Sequence, residues 1–224
     1  MRPANEDRPA VVIMAKAPVP GRVKTRLCPP LSFQQAATVA EALLRDTVTA
    51  VAEAVCRRRV IALEGETGPW IPTGFEVVTQ RGPDLAARLA AAIQSVGGPA
   101  VMINADSPQI TSDLLNETLE RLIAPGADAV LGRAEDGGYW AIGLTRPDAR
   151  VFDGVPMSTP FTAAAQTRRF AELGLCWDEV PMLRDVDVLA DAVEVAAAAP
   201  TTHFGRAFRS LNAHELVQSR REDG

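Results

Sequence analysis

The sequence predicts an α/β fold in which helices cover a mostly parallel β-sheet. Short apolar runs rich in strand-forming residues alternate with amphipathic helical segments along the chain. The 224 residues, 47% hydrophobic and 23% charged, are enough to bury one sizeable core. The chain shows neither an internal repeat nor a low-complexity linker. One domain is therefore expected over residues 10–218, with flexible polar tails at 1–9 and 219–224.

The first half of the chain is predicted to form four strands and two helices. Ser32 is expected to cap a long helix, because apolar residues recur after it at helical spacing. That stripe consists of Ala36, Val39, Ala40, Leu43, Leu44, Thr47, Val48 and Val51. Asp84 is expected to cap a second helix that ends at Val96, before the Gly97-Gly98-Pro99 break. The predicted strands are Ala10–Ala15, Arg59–Leu63, Phe75–Thr79 and Ala100–Asn104.

The second half is predicted to complete the sheet. Only six residues separate two β-rich runs, and this short link predicts a hairpin or close neighbours. The predicted strands of this half are Asp128–Gly132, Tyr139–Leu144 and Trp177–Val180. Helices are predicted at Ser112–Ala124 and Phe161–Leu173, and two further helical stretches follow the last strand.

Composition excludes several classes of protein. The net charge of −5 and the sequence pI of about 5.2 argue against a nucleic-acid-binding protein. Cys28, Cys56 and Cys176 are odd in number and far apart, so neither a disulfide framework nor a thiolate zinc site is predicted. No apolar stretch approaches the roughly 20 residues that span a bilayer, and the polar N-terminus does not resemble a signal peptide. A cytoplasmic protein without a membrane partner is expected.

A loop of positive charge follows the first predicted strand. Lys16, Arg22, Lys24 and Arg26 lie in it without an acidic residue between them, which in an acidic chain suggests an anion site. The loop matches neither GxxxxGK[ST] nor GxGxxG, so no P-loop or dinucleotide fingerprint is present. Gly21 would let the backbone approach a ligand closely, and the arginine and lysine side chains would bind its phosphate groups. The alternative is a solvated basic turn.

Carboxylates follow three other predicted strands. In open α/β sheets ligands bind beyond the carboxyl ends of the strands, so residues at these positions are candidates for a binding site. Asp106 could hold Mg²⁺ together with substrate phosphates, or could be a turn residue. Glu135 and Asp136 precede two glycines and could orient an acceptor, or could belong to a plain β-turn. Asp187, in Asp185-Val-Asp187, is either a site residue or the N-cap of the next helix, with the cap slightly favoured.

Nucleophilic catalysis has little support in the sequence. His203 and His214 both lie in the C-terminal helical region and form neither a metal-ligand motif nor a nucleophile elbow. Positioning and metal electrostatics remain as catalytic means, which is how phosphoryl-group chemistry usually operates.

Five runs of the chain form an ordered set of motifs: Met14-Ala-Lys-Ala-Pro-Val-Pro-Gly-Arg-Val-Lys-Thr-Arg-Leu, Asp106-Ser-Pro, Glu135-Asp-Gly-Gly-Tyr-Trp-Ala-Ile-Gly-Leu, Gly154-Val-Pro-Met-Ser-Thr and Asp185-Val-Asp187. Together they resemble the DUF2064 family. The resemblance spans about residues 10–195 and implies a GT-A fold, a Rossmann-like three-layer sandwich of the nucleotide-diphospho-sugar-transferase type with a mixed, mostly parallel sheet. Some proteins of this kind are labelled arsenosugar-biosynthesis glycosyltransferases. Two departures, Asn104-Ala-Asp-Ser-Pro for Gly-Thr-Asp-Cys-Pro and Met157 for tryptophan, put the shape of the acceptor site in doubt.

The resemblance also implies site residues and a cofactor. A divalent metal, Mg²⁺ or Mn²⁺, would bind at Asp106, and Asp187 is the second predicted ligand. Of the expected nucleotide-binding residues, Lys16, Gly21, Arg22, Lys24 and Arg26 follow from the basic loop itself. The resemblance adds Gln80, Gly82 and Arg88, whose alternative roles are loop polarity and a surface helix charge. The expected catalytic residues are Lys24, Asp106, Glu135 and Asp136.

Three functions fit these residues. In the first, a nucleoside triphosphate binds the basic loop and a small anionic acceptor attacks its α-phosphorus, releasing pyrophosphate. In the second, an NDP-sugar is the donor and Glu135 or Asp136 acts as base. The dense positive charge and the Lys-Thr-Arg-Leu run, which is similar in lactate-phosphate guanylyltransferases, favour the first, whereas the family labels favour the second. The third is a non-catalytic nucleotide-binding protein.

Overall fold

The computed structural model describes residues 8–211 and has the predicted α/β architecture. The predicted tails lie outside this range for most of their length, as does His214. The strands are β1 (Ala10–Lys16), β2 (Arg59–Glu64), β3 (Glu76–Thr79), β4 (Ala100–Ile103), β5 (Ala129–Ala134), β6 (Tyr139–Leu144) and β7 (Trp177–Leu183). The helices are α1 (Phe33–Glu53), α2 (Leu85–Ser95), α3 (Ser112–Leu122), α4 (Thr162–Glu172) and α5 (Leu189–Ala198), and a last helix begins at residue 203. Each predicted strand and helix is present, with ends that differ by up to three residues.

The seven strands form one mixed sheet in the order β3-β2-β1-β4-β6-β5-β7. Only β6 runs against the other strands, because it pairs antiparallel with both β4 and β5. The predicted hairpin between β5 and β6 is therefore confirmed. The chain builds outward from β1 through β2 and β3, then returns to place β4 on the other side of β1. This reversal creates a crevice beyond the carboxyl ends of β1 and β4, where open α/β sheets bind ligands.

Helices cover both faces of the sheet, which gives the three layers expected from the resemblance. Side chains alternate between faces along a strand, so Val11 and Ile13 join one core while Val12 joins the other. Helices α1 and α3 pack on the first core, and α2 and α4 pack on the second. Fully burying each such aliphatic side chain contributes about 1.5–3 kcal/mol before entropy costs. A rigid sheet consequently presents the loops at its carboxyl edge.

Local caps set where the helices begin. Ser32 caps α1 through a capping box with Gln35, and Asp84 accepts a hydrogen bond from the Ala87 N–H at the start of α2. Among the described residues no helix is both long and apolar enough to cross a membrane.

Candidate functional site

The basic loop after β1 turns back over the edge of the sheet. Lys24 has left-handed backbone dihedrals (φ +47°, ψ 34°), which cost a residue with a side chain roughly 1–2 kcal/mol. The next residues form a short 3-10 turn, in which the Leu27 N–H donates to the Lys24 carbonyl at 3.0 Å and the Leu27 side chain is fully buried. The buried leucine thereby anchors the strained residue and aims the lysine side chain at the sheet edge.

Lys24 bridges two carboxylates from distant parts of the chain. Its Nζ lies 2.8 Å from Asp106 Oδ1 and 3.2 Å from Asp187 Oδ1, and only 9% of its side chain is exposed. Arg26 adds a second cation, with Nη1 3.3 Å from Asp187 Oδ2. Burial alone lowers the pKa of Lys24, but the two carboxylates outweigh it and raise that pKa above its usual value. The ammonium is therefore charged at neutral pH.

The segment after β7 joins the segment after β4. The Val186 N–H donates to the Asp106 carbonyl at 3.0 Å, and the Val186 side chain is fully buried. Asp187 does not cap α5 through its side chain, contrary to the slightly favoured prediction. The carboxylate of Asp191 accepts the N–H groups of Asp187 and Val188 instead, which leaves the Asp187 side chain beside Lys24.

Asp185 is a half-buried carboxylate that was not predicted as a site residue. Ser107 donates its hydroxyl to Asp185, and the same hydroxyl lies 3.0 Å from Asn104 Oδ1. Burial raises the pKa of Asp185 to about 6, and the hydrogen bonds from Ser107 and Asn104 offset part of that rise. The alternation in Asp185-Val-Asp187 was a signal for it, since alternate positions of an extended chain lie on one side.

Two hollows meet at Asp106 and Asp187. We call the first the basic cleft; its volume is about 520 Å³, and its charged lining residues are Lys16, Arg22, Lys24, Arg26, Arg88, Asp106 and Asp187. We call the second the acidic pocket; its volume is about 240 Å³, and its charged lining residues are Asp106, Asp136, Asp185 and Asp187. The hollows share the wall formed by Met14, Leu85, Asn104, Asp106, Ser158 and Asp187. Two ligands, one in each hollow, would therefore meet at the carboxylates of Asp106 and Asp187.

Two further predicted cations, Arg88 and Lys16, also line the basic cleft. Arg88 Nη1 lies 2.6 Å from Glu64 Oε2, and Lys16 Nζ lies 3.6 Å from the same oxygen. Gln80 also lines the cleft, but its amide donates to the carbonyls of Ala15 and Ala62, at 2.9 Å each. Its amide N–H groups thus join the ends of β1 and β2.

Gly21 and Gly82 lie outside the lining of both hollows. Both have positive φ, +76° at Gly21 and +136° at Gly82. A Cβ on Gly21 would meet nothing closer than the Phe33 ring at 3.9 Å, so its backbone conformation, not a close approach, accounts for this glycine. A Cβ on Gly82 would lie 2.7 Å from Ala87 Cβ, inside van der Waals contact. The structure therefore gives both glycines roles in chain geometry.

The turn between β5 and β6 separates its two acids. Asp136 accepts the Gly138 N–H at 2.8 Å and lines the acidic pocket. Glu135 turns away and accepts from Arg184 Nε at 2.7 Å, and it lines neither hollow. The expectation that Glu135 belongs to the site is therefore corrected: its side chain is held in an ion pair with Arg184 and lies outside both hollows.

Aromatic and sulfur-containing side chains close the acidic pocket. Tyr139 and Trp140 both line it, and the Tyr139 hydroxyl lies 3.7 Å from Met157 Sδ. Burial raises the pKa of Tyr139, so the hydroxyl stays neutral. The methionine that replaces the family's usual tryptophan thus contacts this wall. His203 lies elsewhere and donates its backbone N–H to Asp46 at 2.7 Å.

The carboxylates suit a divalent cation that is completed by a ligand. Among residues 8–211 no group of three or more His, Cys, Asp or Glu could hold a metal alone. Asp106 and Asp187 nevertheless direct one oxygen each at a single cationic nitrogen. Mg²⁺ commonly takes one or two protein carboxylates and completes its shell with water and phosphate oxygens. The oxygen donors present fit a metal that binds together with a phosphate compound.

Comparison with known proteins identifies a matching family and a curated relative. A family model described as "uncharacterized protein conserved in bacteria (DUF2064)" matches residues 38–159. A 2-phospho-L-lactate guanylyltransferase from Haloarcula marismortui is 35% identical over 137 residues, which are 60% of this chain and 62% of that protein. The match thus spans less than two thirds of that relative's length.

Solved structures share the fold. A candidate nucleotide-diphospho-sugar transferase from Desulfovibrio desulfuricans G20 superposes with a TM-score of 0.83 at 23% identity, over 91% of this chain and 95% of that one. A Mycobacterium tuberculosis H37Rv protein, Rv0371C, solved in complex with manganese, has a TM-score of 0.51 at 17% identity, over 84% and 97% of the two chains.

Proposed function

The chain belongs to the DUF2064 family, and we propose that it is a metal-dependent nucleotidyltransferase that releases pyrophosphate from a nucleoside triphosphate. The observation that carries this proposal is the meeting of Lys24 with Asp106 and Asp187 at the wall shared by the two hollows. One hollow is suited to a polyphosphate, and the other to the group that receives the nucleotide.

The basic cleft supports binding of the donor. Five cations and two carboxylates line it, and a triphosphate carries more negative charge than the diphosphate of a nucleotide sugar. Arg22 and Arg26 offer guanidinium forks that match phosphate oxygens, while Lys24 offers a compact charge. The guanylyltransferase name of the Haloarcula relative supports the same donor class.

Asp106 and Asp187 would hold the divalent metal, which supplies charge neutralisation and orientation of the phosphates. A protein of related fold from M. tuberculosis was solved in complex with manganese, which supports a divalent metal as the cofactor class. Lys24 then donates to a phosphate oxygen, and Asn104 and Ser107 keep the neighbouring Asp185 in place.

In the transfer step, an acceptor hydroxyl in the acidic pocket attacks the α-phosphorus. A new oxygen–phosphorus bond forms, the bond from the α-phosphorus to the oxygen that bridges to the β-phosphate breaks, and pyrophosphate leaves. Asp136, which lines the acidic pocket, takes the proton from the hydroxyl. Cationic side chains in the basic cleft stabilise the negative charge on the leaving pyrophosphate.

Glycosyl transfer from an NDP-sugar is the competing function. The D. desulfuricans structure favours it, because that structure covers 91% of this chain and its description names nucleotide-diphospho-sugar transfer. The same two hollows would then hold the NDP and the sugar acceptor. The two functions differ in the leaving group, which is pyrophosphate in one and an NDP in the other.

A donor panel distinguishes these functions. Thermal stabilisation is measured with each nucleoside triphosphate and a set of NDP-sugars, with and without Mg²⁺ or Mn²⁺, since a ligand that binds only the folded state raises its stability. The stabilising donors are then incubated with acceptor mixtures, and pyrophosphate and NDP are quantified. We expect metal-dependent stabilisation by a triphosphate and release of pyrophosphate.

Matched variants give the control. Asp106→Asn removes one carboxylate at the shared wall and should abolish metal-dependent pyrophosphate release. Asp153→Asn removes the same charge from an exposed position outside both hollows and should leave release unchanged. Release of NDP from a sugar donor, without pyrophosphate from any triphosphate, would establish the competing function.

A further inference from the structure

We infer that the acceptor is an uncharged hydroxyl compound with an apolar face, and that the acidic pocket rejects anions. The role of this compound as an acceptor rests on the proposed function, but the preference for uncharged ligands is a property of the acidic pocket alone. It replaces the sequence-based expectation of an anionic acceptor.

Charge is segregated between the two hollows. Every Lys or Arg side chain that lines either of them, among residues 8–211, lines the basic cleft. The acidic pocket has four aspartates and no Lys, Arg or His in its described lining. The cations at the shared wall lie on the side of the donor: Lys24 contacts both Asp106 and Asp187, and Arg26 contacts Asp187. Under the proposed function, Lys24 and a metal on these two carboxylates serve the phosphates of the donor. A carboxylate or phosphate that lies beside Asp136 and Asp185 would therefore meet like charge, with no Lys, Arg or His of the described lining to pair with.

The start of α4 is the remaining place where an anion could bind, since Thr159 and Thr162 line the pocket. The N–H groups of Thr159, Phe161, Thr162 and Ala163 are already used. The Thr159 N–H donates to Thr162 Oγ1 at 3.1 Å, and the Phe161 N–H donates to Thr159 Oγ1 at 3.3 Å. The Thr162 N–H donates to the Thr159 carbonyl at 3.1 Å, and the Ala163 N–H donates to the Gly137 carbonyl at 2.9 Å. These N–H groups are not available to an anion.

The rest of the lining suits a ligand that has an apolar surface and bears hydroxyl groups. Met14, Leu89, Met102, Ile142 and Met157 supply apolar surface, and methionine adapts its shape to a ligand. Carboxylates such as Asp136 and Asp185 accept hydrogen bonds from hydroxyls without requiring a cation. The neutral Tyr139 hydroxyl donates to the Met157 sulfur at 3.7 Å, and its oxygen can accept a hydrogen bond from an alcohol. An uncharged alcohol satisfies all of these groups.

Methionine methyl groups report on binding to this pocket without any need for turnover. Met102 and Met157 line the acidic pocket, whereas Met182 lies on β7, 57% exposed and outside both hollows. The protein is labelled at its methionine methyl groups and titrated, without added metal, with para-(hydroxymethyl)benzamide, para-(hydroxymethyl)benzoate and 2-phospho-L-lactate. The first two probes share a skeleton and differ in charge.

We expect the amide to shift the Met102 and Met157 signals in a saturable manner and to leave Met182 unchanged. The benzoate should bind at least about tenfold more weakly, because one negative charge a few ångströms from an aspartate is repelled. The 2-phospho-L-lactate should not displace the amide. Equal or tighter binding of either anion at Met157 would overturn the inference, and so would a failure of the amide to shift both pocket methionines.

A charge insertion gives the second test. Met157→Lys places a cation in the pocket and should raise benzoate affinity by about tenfold or more, whereas Met182→Lys adds the same charge outside and should not. Equal effects of the two variants on benzoate affinity would contradict the inference. These titrations involve no nucleotide, so they test the ligand preference of the acidic pocket and not the reaction. The preference can be confirmed when no pyrophosphate is released, and it can be refuted when pyrophosphate is released.

Discussion

Lys24 occupies the point at which a divalent metal and a triphosphate would both compete for contacts. Its ammonium lies 2.8 Å from Asp106 Oδ1 and 3.2 Å from Asp187 Oδ1. Replacing it by methionine keeps a chain of similar length and removes the charge. We expect Lys24→Met to weaken binding of a nucleoside triphosphate while strengthening binding of Mn²⁺ alone.

The magnitudes follow from burial. A hydrogen bond to a charged group contributes about 1.5–3 kcal/mol, so loss of the Lys24–phosphate contact should raise the triphosphate Kd by about 10- to 150-fold. The carboxylates are 42% and 38% exposed, so their pairing with Lys24 lies between a surface pair, worth about 0–1 kcal/mol, and a buried one. Freeing them should tighten binding of the metal alone by about tenfold, which corresponds to roughly 1.4 kcal/mol.

Isothermal titration with triphosphate, and electron paramagnetic resonance of free Mn²⁺ without nucleotide, measure the two effects. The chain has two lysines, so Lys16→Met is the matched comparison. Lys16 is 57% exposed and only 3.6 Å from Glu64, and its loss should weaken triphosphate binding less and leave Mn²⁺ binding unchanged. Equal losses for a triphosphate and an NDP-sugar in Lys24→Met, or weaker Mn²⁺ binding, would refute this account of the cluster.

Three further outcomes are expected. Glu135→Gln should leave turnover within about twofold, because Glu135 forms a partly exposed ion pair with Arg184 outside both hollows. Asp136→Asn should lower kcat strongly, because Asp136 lines the acidic pocket. Steady-state kinetics that rank the two variants the other way would contradict the placement of these acids. Gly137→Ala should reduce the free energy of unfolding by more than about 2 kcal/mol in urea titrations, because its Cβ would lie 2.0 Å from a proline carbonyl oxygen and its φ is +89°, and an unchanged midpoint would count against that contact. Burial raises the pKa of Asp46 above 3.8, so the folded state holds its proton more tightly than the unfolded state does; the stability of the native protein relative to Asp46→Asn should therefore fall as pH rises from about 3.8 through the raised pKa, and a difference that grows with pH would reverse the argument.

The sequence by itself was sufficient for the secondary structure and for the position of the basic loop. Strands and helices depend on the spacing of apolar residues and on caps such as Ser32 and Asp84, which act within a few residues of the chain. The charge of Lys24 and the carboxylate of Asp106, each following a strand, could be proposed as site residues because parallel strands end at one edge of a sheet.

Only the tertiary structure decided which of these groups meet. Lys24 and Asp187 are separated by 163 positions, and their contact depends on the sheet order that brings β1 and β7 to the same edge. Glu135 and Asp136 are neighbours in sequence, yet one pairs with Arg184 and the other lines the acidic pocket. The separation of cations from aspartates into two hollows has the same origin: side-chain direction and long-range packing are properties of the folded chain, and no local pattern encodes them.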